Sequence, residues 1–188
     1  MNNQGCDYVL ATARELYGRT VWSHKVHEKE REIWNKKACG VKYRNIFLIS
    51  LTTLIAFIAT AFPSFICNVL TAAAATATLA AVLWETNFDP VGKENHHRTA
   101  AKELLWVREQ FLILIERCHL GTGDPGQLQV SLETLTRELT AVYKFAPDTS
   151  PEAYAEASAA LKGGEFTFTD REIDSFLPEK LRKAALPV

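Results

Sequence analysis

The chain has 188 residues, and its 21 lysine and arginine residues nearly balance 22 aspartate and glutamate residues, for a net charge of −1. A balance this close to neutrality argues against a protein that coats nucleic acid, so we expect no nucleic-acid partner. The four cysteines are scattered without C-x-x-C spacing, which argues against a disulfide framework and favours free thiols in a reducing compartment.

The first predicted element is a long helix from about residue 8 to residue 43, interrupted only by Gly18 and Gly40. His24 and His27 lie three residues apart on it and could share a metal ion. No cysteine or carboxylate cluster in the sequence completes a ligand shell, however. We therefore predict surface or interface histidines here, with no metal site and no cofactor.

Two apolar runs without a single charge follow, at residues 46–62 and 65–84, separated by the helix-breaking dipeptide Pro63-Ser64. At about 1.5 Å per residue they reach roughly 26 and 30 Å, against a hydrocarbon core about 30 Å thick. We predict two helical membrane spans joined by a minimal turn. A buried hairpin inside a soluble bundle is the alternative, disfavoured because no face of either run is charged. The long polar segment before the first run excludes a secretory signal.

Basic residues flank both outer ends of the hairpin, whereas the turn between the spans carries none. The positive-inside rule therefore predicts that both termini lie in the cytoplasm. Four basic residues just before the first span are expected to meet anionic lipid headgroups at the membrane surface. They are Lys36, Lys37, Lys42 and Arg44.

The second span is unusually rich in small residues, since Thr71 to Ala81 reads TAAAATATLAA. Small residues are enriched where membrane helices pack closely, and a hairpin alone cannot cover such a helix on every side. We therefore predict a homo-oligomer. The absence of charge within the spans argues against a proton relay, a voltage sensor or a charged selectivity ring.

Weakly polar residues also recur at helical spacing in both spans. This spacing is compatible with a strip that lines a pore or a helix interface. It is equally compatible with hydroxyls that bond their own helix or bridge the hairpin, which is the more common structural role. The residues are Ser50, Thr53, Thr60, Asn68, Thr71, Ala75 and Thr78.

The remainder of the chain is predicted to be helical. An amphipathic helix at 99–118 should pair antiparallel with the first helix, and further helices are predicted at 127–144 and from Ser150-Pro151 to residue 161. A final helix is capped by Thr169-Asp170. No phosphate loop, nucleophile elbow or dinucleotide fingerprint is present, so we predict no catalytic residues and no enzyme.

The predicted fold class is an all-α membrane protein, in which a transmembrane hairpin carries a helical cytoplasmic bundle built from N- and C-terminal segments. Its predicted parts are an N-terminal cytoplasmic helix at 1–44, the hairpin at 45–84 and a C-terminal cytoplasmic helical region at 85–188.

This layout resembles the SLATT family, the SMODS and SLOG-associating two-transmembrane effector domains. Four features carry the resemblance, in this order and spacing. They are W-x-x-K-x-x-E-K at 22–29, the hairpin with its minimal turn, HHRTAAKELLWVREQF at 96–111, and the tail motifs APDTSPEAYAEASAALK at 146–162 and FTFTDREIDSFLPEKLR at 166–182.

The resemblance implies a bacterial inner-membrane effector of a nucleotide-second-messenger immunity system directed against phage. Such an effector would oligomerise and form a pore or disrupt the membrane, causing growth arrest or cell death. Its partners would be membrane lipids, further copies of itself, and a cyclic nucleotide from a nucleotidyltransferase or a nucleotide-sensing protein. No nucleotide-binding residues transfer from the family. The alternative function is a membrane-anchored helical scaffold that tethers a cytoplasmic partner.

Overall fold

The computed structural model describes residues 3–167, and every regular element in that part of the chain is an α-helix. The helices are α1 (Asn3–Ala61), α2 (Phe65–Phe88), α3 (Pro90–His119), α4 (Pro125–Phe145) and α5 (Pro151–Lys162). The predicted all-α class and the two-helix hairpin are confirmed. The predicted final helix, with its Thr169-Asp170 cap, lies outside the described residues.

Helix α1 combines the predicted cytoplasmic helix and the first span in one element of 59 residues. It passes through Gly18 and Gly40 without a break, contrary to the predicted interruptions. A glycine costs a helix interior only about 1 kcal/mol, which the packing along the rest of the helix offsets. At 1.5 Å per residue the helix is about 90 Å long, so it connects the first candidate span rigidly to the far end of the helical bundle.

The hairpin turns at Pro63-Ser64, where the Ser64 side chain accepts a hydrogen bond from the Cys67 backbone N–H at 3.1 Å and caps α2. Both helices of the hairpin are long and apolar enough to cross a membrane, and almost none of their apolar residues is buried within the protein. A core hairpin of a soluble bundle would be covered, so this exposure contradicts that alternative and supports membrane spans.

The second span meets the helical bundle at Asp89, a single left-handed residue (φ 38°) between α2 and α3. Its side chain accepts a hydrogen bond from the Gly92 N–H at 2.9 Å, and Pro90 occupies the first turn of α3. A Cβ on Gly92 would lie 2.0 Å from the Asp89 carboxylate, so the cap requires glycine there. The third helix therefore begins at this cap, nine residues before the predicted start at 99.

Replacing Asp89 with alanine should destabilise this junction by about 1–2 kcal/mol, because alanine removes the N-cap and tolerates a positive φ poorly. Asp89→Asn is the matched control, since asparagine caps helices and adopts the left-handed conformation at little cost. Urea unfolding of the cytoplasmic helices, followed by far-UV circular dichroism, measures the difference. Equal stability of the alanine and asparagine variants would contradict the cap.

The main core of the helical bundle forms where α1, α3 and α4 meet, with α1 packing against α3 as predicted. Leucines of α4 recur at helical spacing and close the core on one side. A second, smaller core lies between α1 and α5. The largest buried members of the main core are Val9, Leu104, Val107, Phe111 and Leu128.

Candidate functional site

The two helices of the hairpin meet along a seam with few polar contacts. The hydroxyls of Thr52 and Thr78 lie 2.9 Å apart across this seam, at mid-span. Nearer the cytoplasmic end, the Asn45 amide donates to the Glu85 carboxylate. A hydrogen bond between the two helices pairs polar groups that lipid cannot solvate, and it therefore fixes the register of α1 against α2.

The predicted polar residues separate into two groups. Thr71 and Thr78 are partly buried in the seam, where their hydroxyls donate to the Cys67 and Ala74 carbonyls at 2.9 Å. The other five are exposed, and within the described residues none of them forms a hydrogen bond across the hairpin; they are Ser50, Thr53, Thr60, Asn68 and Ala75. Thr52 is not among the predicted polar residues, because the predicted strip in the first span runs through Ser50, Thr53 and Thr60.

The exposed polar residues nevertheless share one side of the hairpin. Successive helical residues are rotated by about 100°, which places Thr53 and Thr60 on one flank of the seam in α1. The same rotation in the antiparallel α2 places Asn68 and Ala75 on the flank that faces the same way. The hairpin therefore carries one weakly polar, small-residue side, which we call the polar side.

At the predicted membrane surface, the ammonium groups of two lysines lie over an aromatic ring. The Lys37 ammonium lies 4.2 Å from the centre of the Trp34 ring, and Lys93 approaches the same ring at 4.5 Å. Trp34 also packs on Phe88 at the end of α2. Lys36, Lys37, Lys42 and Arg44 are all exposed. Arg44 turns toward the hairpin, where it donates to the Ala81 carbonyl at 3.3 Å.

Above this surface, α1 and α3 are joined by a buried histidine pair. The Nδ1 atoms of His27 and His97 lie 3.1 Å apart, so one of them donates a hydrogen bond to the other. Burial, and then the neighbouring His97, lowers the pKa of His27 to about 4. Burial also lowers the pKa of His97, so both rings are neutral at neutral pH.

In the sequence, His24 and His27 lie three residues apart, and His96 and His97 are adjacent and so point in different directions on a helix. His97 is buried and His96 is exposed, which agrees with their different directions. Among the described residues, no group of three or more histidine, cysteine or acidic side chains is arranged to hold a metal ion. The pairing of His27 with His97 could not be read from the sequence, because 70 residues separate them.

One turn further along α1, the buried Glu30 anchors the start of α5. Its carboxylate accepts hydrogen bonds from the Ser150 N–H at 2.8 Å and from the Ser150 hydroxyl at 2.6 Å. Burial alone would raise the pKa of Glu30, but these two hydrogen bonds outweigh it and hold the pKa below its ordinary value. The Ser150 hydroxyl in turn accepts from the Ala153 N–H, so Glu30 extends the cap of α5.

Replacing Glu30 with alanine should cost about 2–3 kcal/mol, because both Ser150 donors lose a buried, charged acceptor. Glu32→Ala is the matched control: Glu32 pairs with Lys29 in a partly exposed contact, which is worth less than about 1 kcal/mol. Urea unfolding of the two variants measures the difference. If Glu30→Ala is no more destabilising than Glu32→Ala, the anchoring role assigned to Glu30 is wrong.

Lys25 is another buried ionisable group on this part of α1. Its ammonium donates to Glu28 at 3.1 Å and to Glu165 at 2.5 Å. Burial alone would lower the pKa of Lys25, but these hydrogen bonds outweigh it and raise the pKa. The contact holds the segment after α5 against α1. Helices α3 and α5 are thus joined to α1 by paired polar groups rather than by apolar packing alone.

The chain is similar to a known protein family. A family model described as SMODS and SLOG-associating 2TM effector domain family 4 matches residues 10–172, which include all of α2 to α5 and most of α1. No curated protein and no solved structure shows significant similarity to the chain.

Proposed function

Because the chain belongs to the SMODS and SLOG-associating 2TM effector domain family 4, we propose that it is a bacterial membrane effector of a nucleotide-triggered anti-phage immunity system. It oligomerises in the inner membrane and opens a pore or disrupts the bilayer, which arrests or kills the cell. The family match over residues 10–172 carries this proposal.

The exposed surface of α2 supports assembly. Ala72, Ala73, Thr76 and Ala80 are exposed in the single chain, as are the residues of the polar side. Lipid chains pack well against leucine, isoleucine and phenylalanine, whereas small residues favour close contact with another helix. Copies of the chain that pack through these surfaces would turn weakly polar groups toward one another or toward a central opening.

We propose that both termini lie in the cytoplasm, because lysines and arginines flank the hairpin on the side of α1 and α3. The cytoplasmic helices would then receive the trigger, either a cyclic nucleotide made by a nucleotidyltransferase or a nucleotide-sensing protein. The basic residues Lys36, Lys37, Lys42 and Arg44 would contact anionic headgroups. The synthesis of the nucleotide would be catalysed by the partner, and the chain itself acts without catalysis.

The test is to express the full chain with its activating partner and to record membrane potential with a voltage-sensitive dye. We expect depolarisation to precede growth arrest. If the potential holds while the protein is abundant in the membrane, the proposal fails.

A second arm separates the effector from a membrane-anchored scaffold. Residues 45–84 are replaced by an unrelated two-span anchor, and expression in the membrane is matched to the native chain. A pore-forming effector loses depolarisation and growth arrest, because its hairpin is the active part. A scaffold keeps its effect, since any anchor holds the cytoplasmic helices at the membrane.

A further inference from the structure

A groove runs along α1 on the cytoplasmic side, where the end of α4, the segment 146–149 and the start of α5 meet it. Two adjoining cavities of about 310 and 560 Å³ form this groove. They share the side chains Trp22, Ser23, Tyr143 and Tyr154. The cavities are large enough for a small ligand, since ligand pockets begin at about 300 Å³.

The middle of the groove is an aromatic wall. Trp22 and Tyr154 lie against each other with ring centres 5.2 Å apart, and Tyr154 remains 55% exposed. Beside them, the hydroxyls of Ser23 and Tyr143 lie 3.0 Å apart. An exposed aromatic surface with hydroxyls at its edge suits a planar ring that carries hydrogen-bonding groups.

The two ends of the groove differ in charge. Gly18 and Arg19 line one end, and among the described residues Arg19 forms an exposed ion pair with Glu15. Such pairs are weak, so the guanidinium is available to an anion. His27 and Asp148 line the other end, where the carboxylate disfavours an anion. Eight residues of α1 separate the ends, a distance of about 12 Å.

Gly18 keeps the first end open. A Cβ at this position would meet nothing within 4 Å, so no neighbour requires glycine there. Alanine is a better helix former than glycine, so local helix stability does not explain the glycine at this position. A larger side chain at residue 18 would project into the groove.

From these features we propose that the groove binds a nucleotide-sized ligand, a planar heteroaromatic ring with an anionic group, whose ring stacks on Tyr154 and whose anion meets Arg19. His27 lines the other end of the same groove, and its ring is bonded to His97 on α3. A ligand in the groove would therefore affect α3, the helix that follows the second span. This last consequence rests on the proposed function, whereas binding itself does not.

The test is isothermal titration of the full-length protein in detergent with AMP, GMP, CMP and UMP. At least one of these should bind with a Kd below about 1 mM. For that nucleotide, the free nucleoside and ribose 5-phosphate should each bind at least tenfold more weakly, because each lacks one of the two recognised groups. If none of the four binds, or if the nucleoside binds as tightly as the nucleotide, the proposal is overturned.

Variants locate the site. Tyr154→Ala should weaken binding about tenfold, in line with the stacking of a base on an aromatic ring. Arg19→Gln should weaken nucleotide binding but not nucleoside binding, whereas Arg14→Gln, on the same helix outside the groove, should change neither. Gly18→Phe should block the groove and Gly18→Ala should not. Unchanged affinity in both Tyr154→Ala and Gly18→Phe would place the ligand elsewhere and overturn the proposal.

The outcome is independent of membrane permeabilisation. Specific binding without depolarisation in cells would leave the ligand site standing and remove the effector function. Depolarisation without nucleotide binding would leave the effector function standing, overturn the ligand site and assign the trigger to a partner protein.

Discussion

Replacing Ala75 with leucine is expected to abolish depolarisation while leaving the protein in the membrane. Ala75 is exposed on the polar side of the hairpin, together with Thr53, Thr60 and Asn68. If this side faces another copy, a leucine there holds the backbones apart and removes the close packing that drives association. Leucine favours insertion into lipid, so loss of the spans themselves is not expected.

Ala77→Leu is the matched control, since Ala77 is equally small and exposed but lies two residues along α2, on the opposite flank. Both variants are expressed at equal membrane density, and depolarisation is recorded as for the native chain. We expect a loss of at least tenfold for Ala75→Leu and a clearly smaller loss for Ala77→Leu. Equal activity of Ala75→Leu and the native chain would mean that the polar side faces lipid.

Acidification from about pH 7.5 to about pH 5 is expected to lower the free energy of unfolding by about 2 kcal/mol, because it weakens the contact between α1 and α3. Burial, and then His97, holds the pKa of His27 at about 4, below its ordinary value of 6.5. In the folded protein, His27 therefore binds a proton only at a lower pH than it does in the unfolded chain. The stability contributed by the neutral ring is present above pH 6.5 and is lost as the pH falls toward 4.

The groups around the pair set the size of this effect. His24 on α1 and His96 on α3 add positive charge when protonated, while Glu30 partly offsets it. Asp148, in the segment between α4 and α5, lines the same cavity as His27. Additional acid sensitivity is expected from His24, because burial lowers its pKa too.

The measurement is the free energy of urea unfolding of the cytoplasmic helices across this pH range, in detergent. The double variant His27→Gln, His97→Gln should lose most of the pH dependence, because glutamine does not titrate. The control His96→Gln, at an exposed position, should retain it. If the double variant loses as much stability on acidification as the native chain, the histidine pair is not the acid-sensitive contact.

The hairpin could be predicted from the sequence because its signals are local. Forty residues without charge, a Pro63-Ser64 break and flanking lysines specify two spans and a turn without reference to the rest of the chain. The short helices after the hairpin were predictable for the same reason, since the Asp124 and Ser150 side chains cap α4 and α5 directly.

Features that depend on tertiary contact escaped prediction. The helix α1 continues through Gly18 and Gly40 because neighbouring helices support it, and local propensity cannot show this. The start of α3 at Asp89 depends on one residue adopting a left-handed conformation. The contacts of His27 with His97 and of Glu30 with Ser150 join residues 70 and 120 positions apart, beyond the reach of any spacing rule.

Assembly of the hairpin is the property on which any pore depends, and the mass of the native complex tests it most directly. The full-length chain is expressed with its activating partner, transferred with surrounding lipid into nanodiscs and weighed by native mass spectrometry, beside Ala75→Leu. We expect masses at multiples of 21.0 kDa above the dimer for the native chain, and single copies for the variant. A native chain found only as a 21.0 kDa monomer at every loading would contradict assembly and the pore with it.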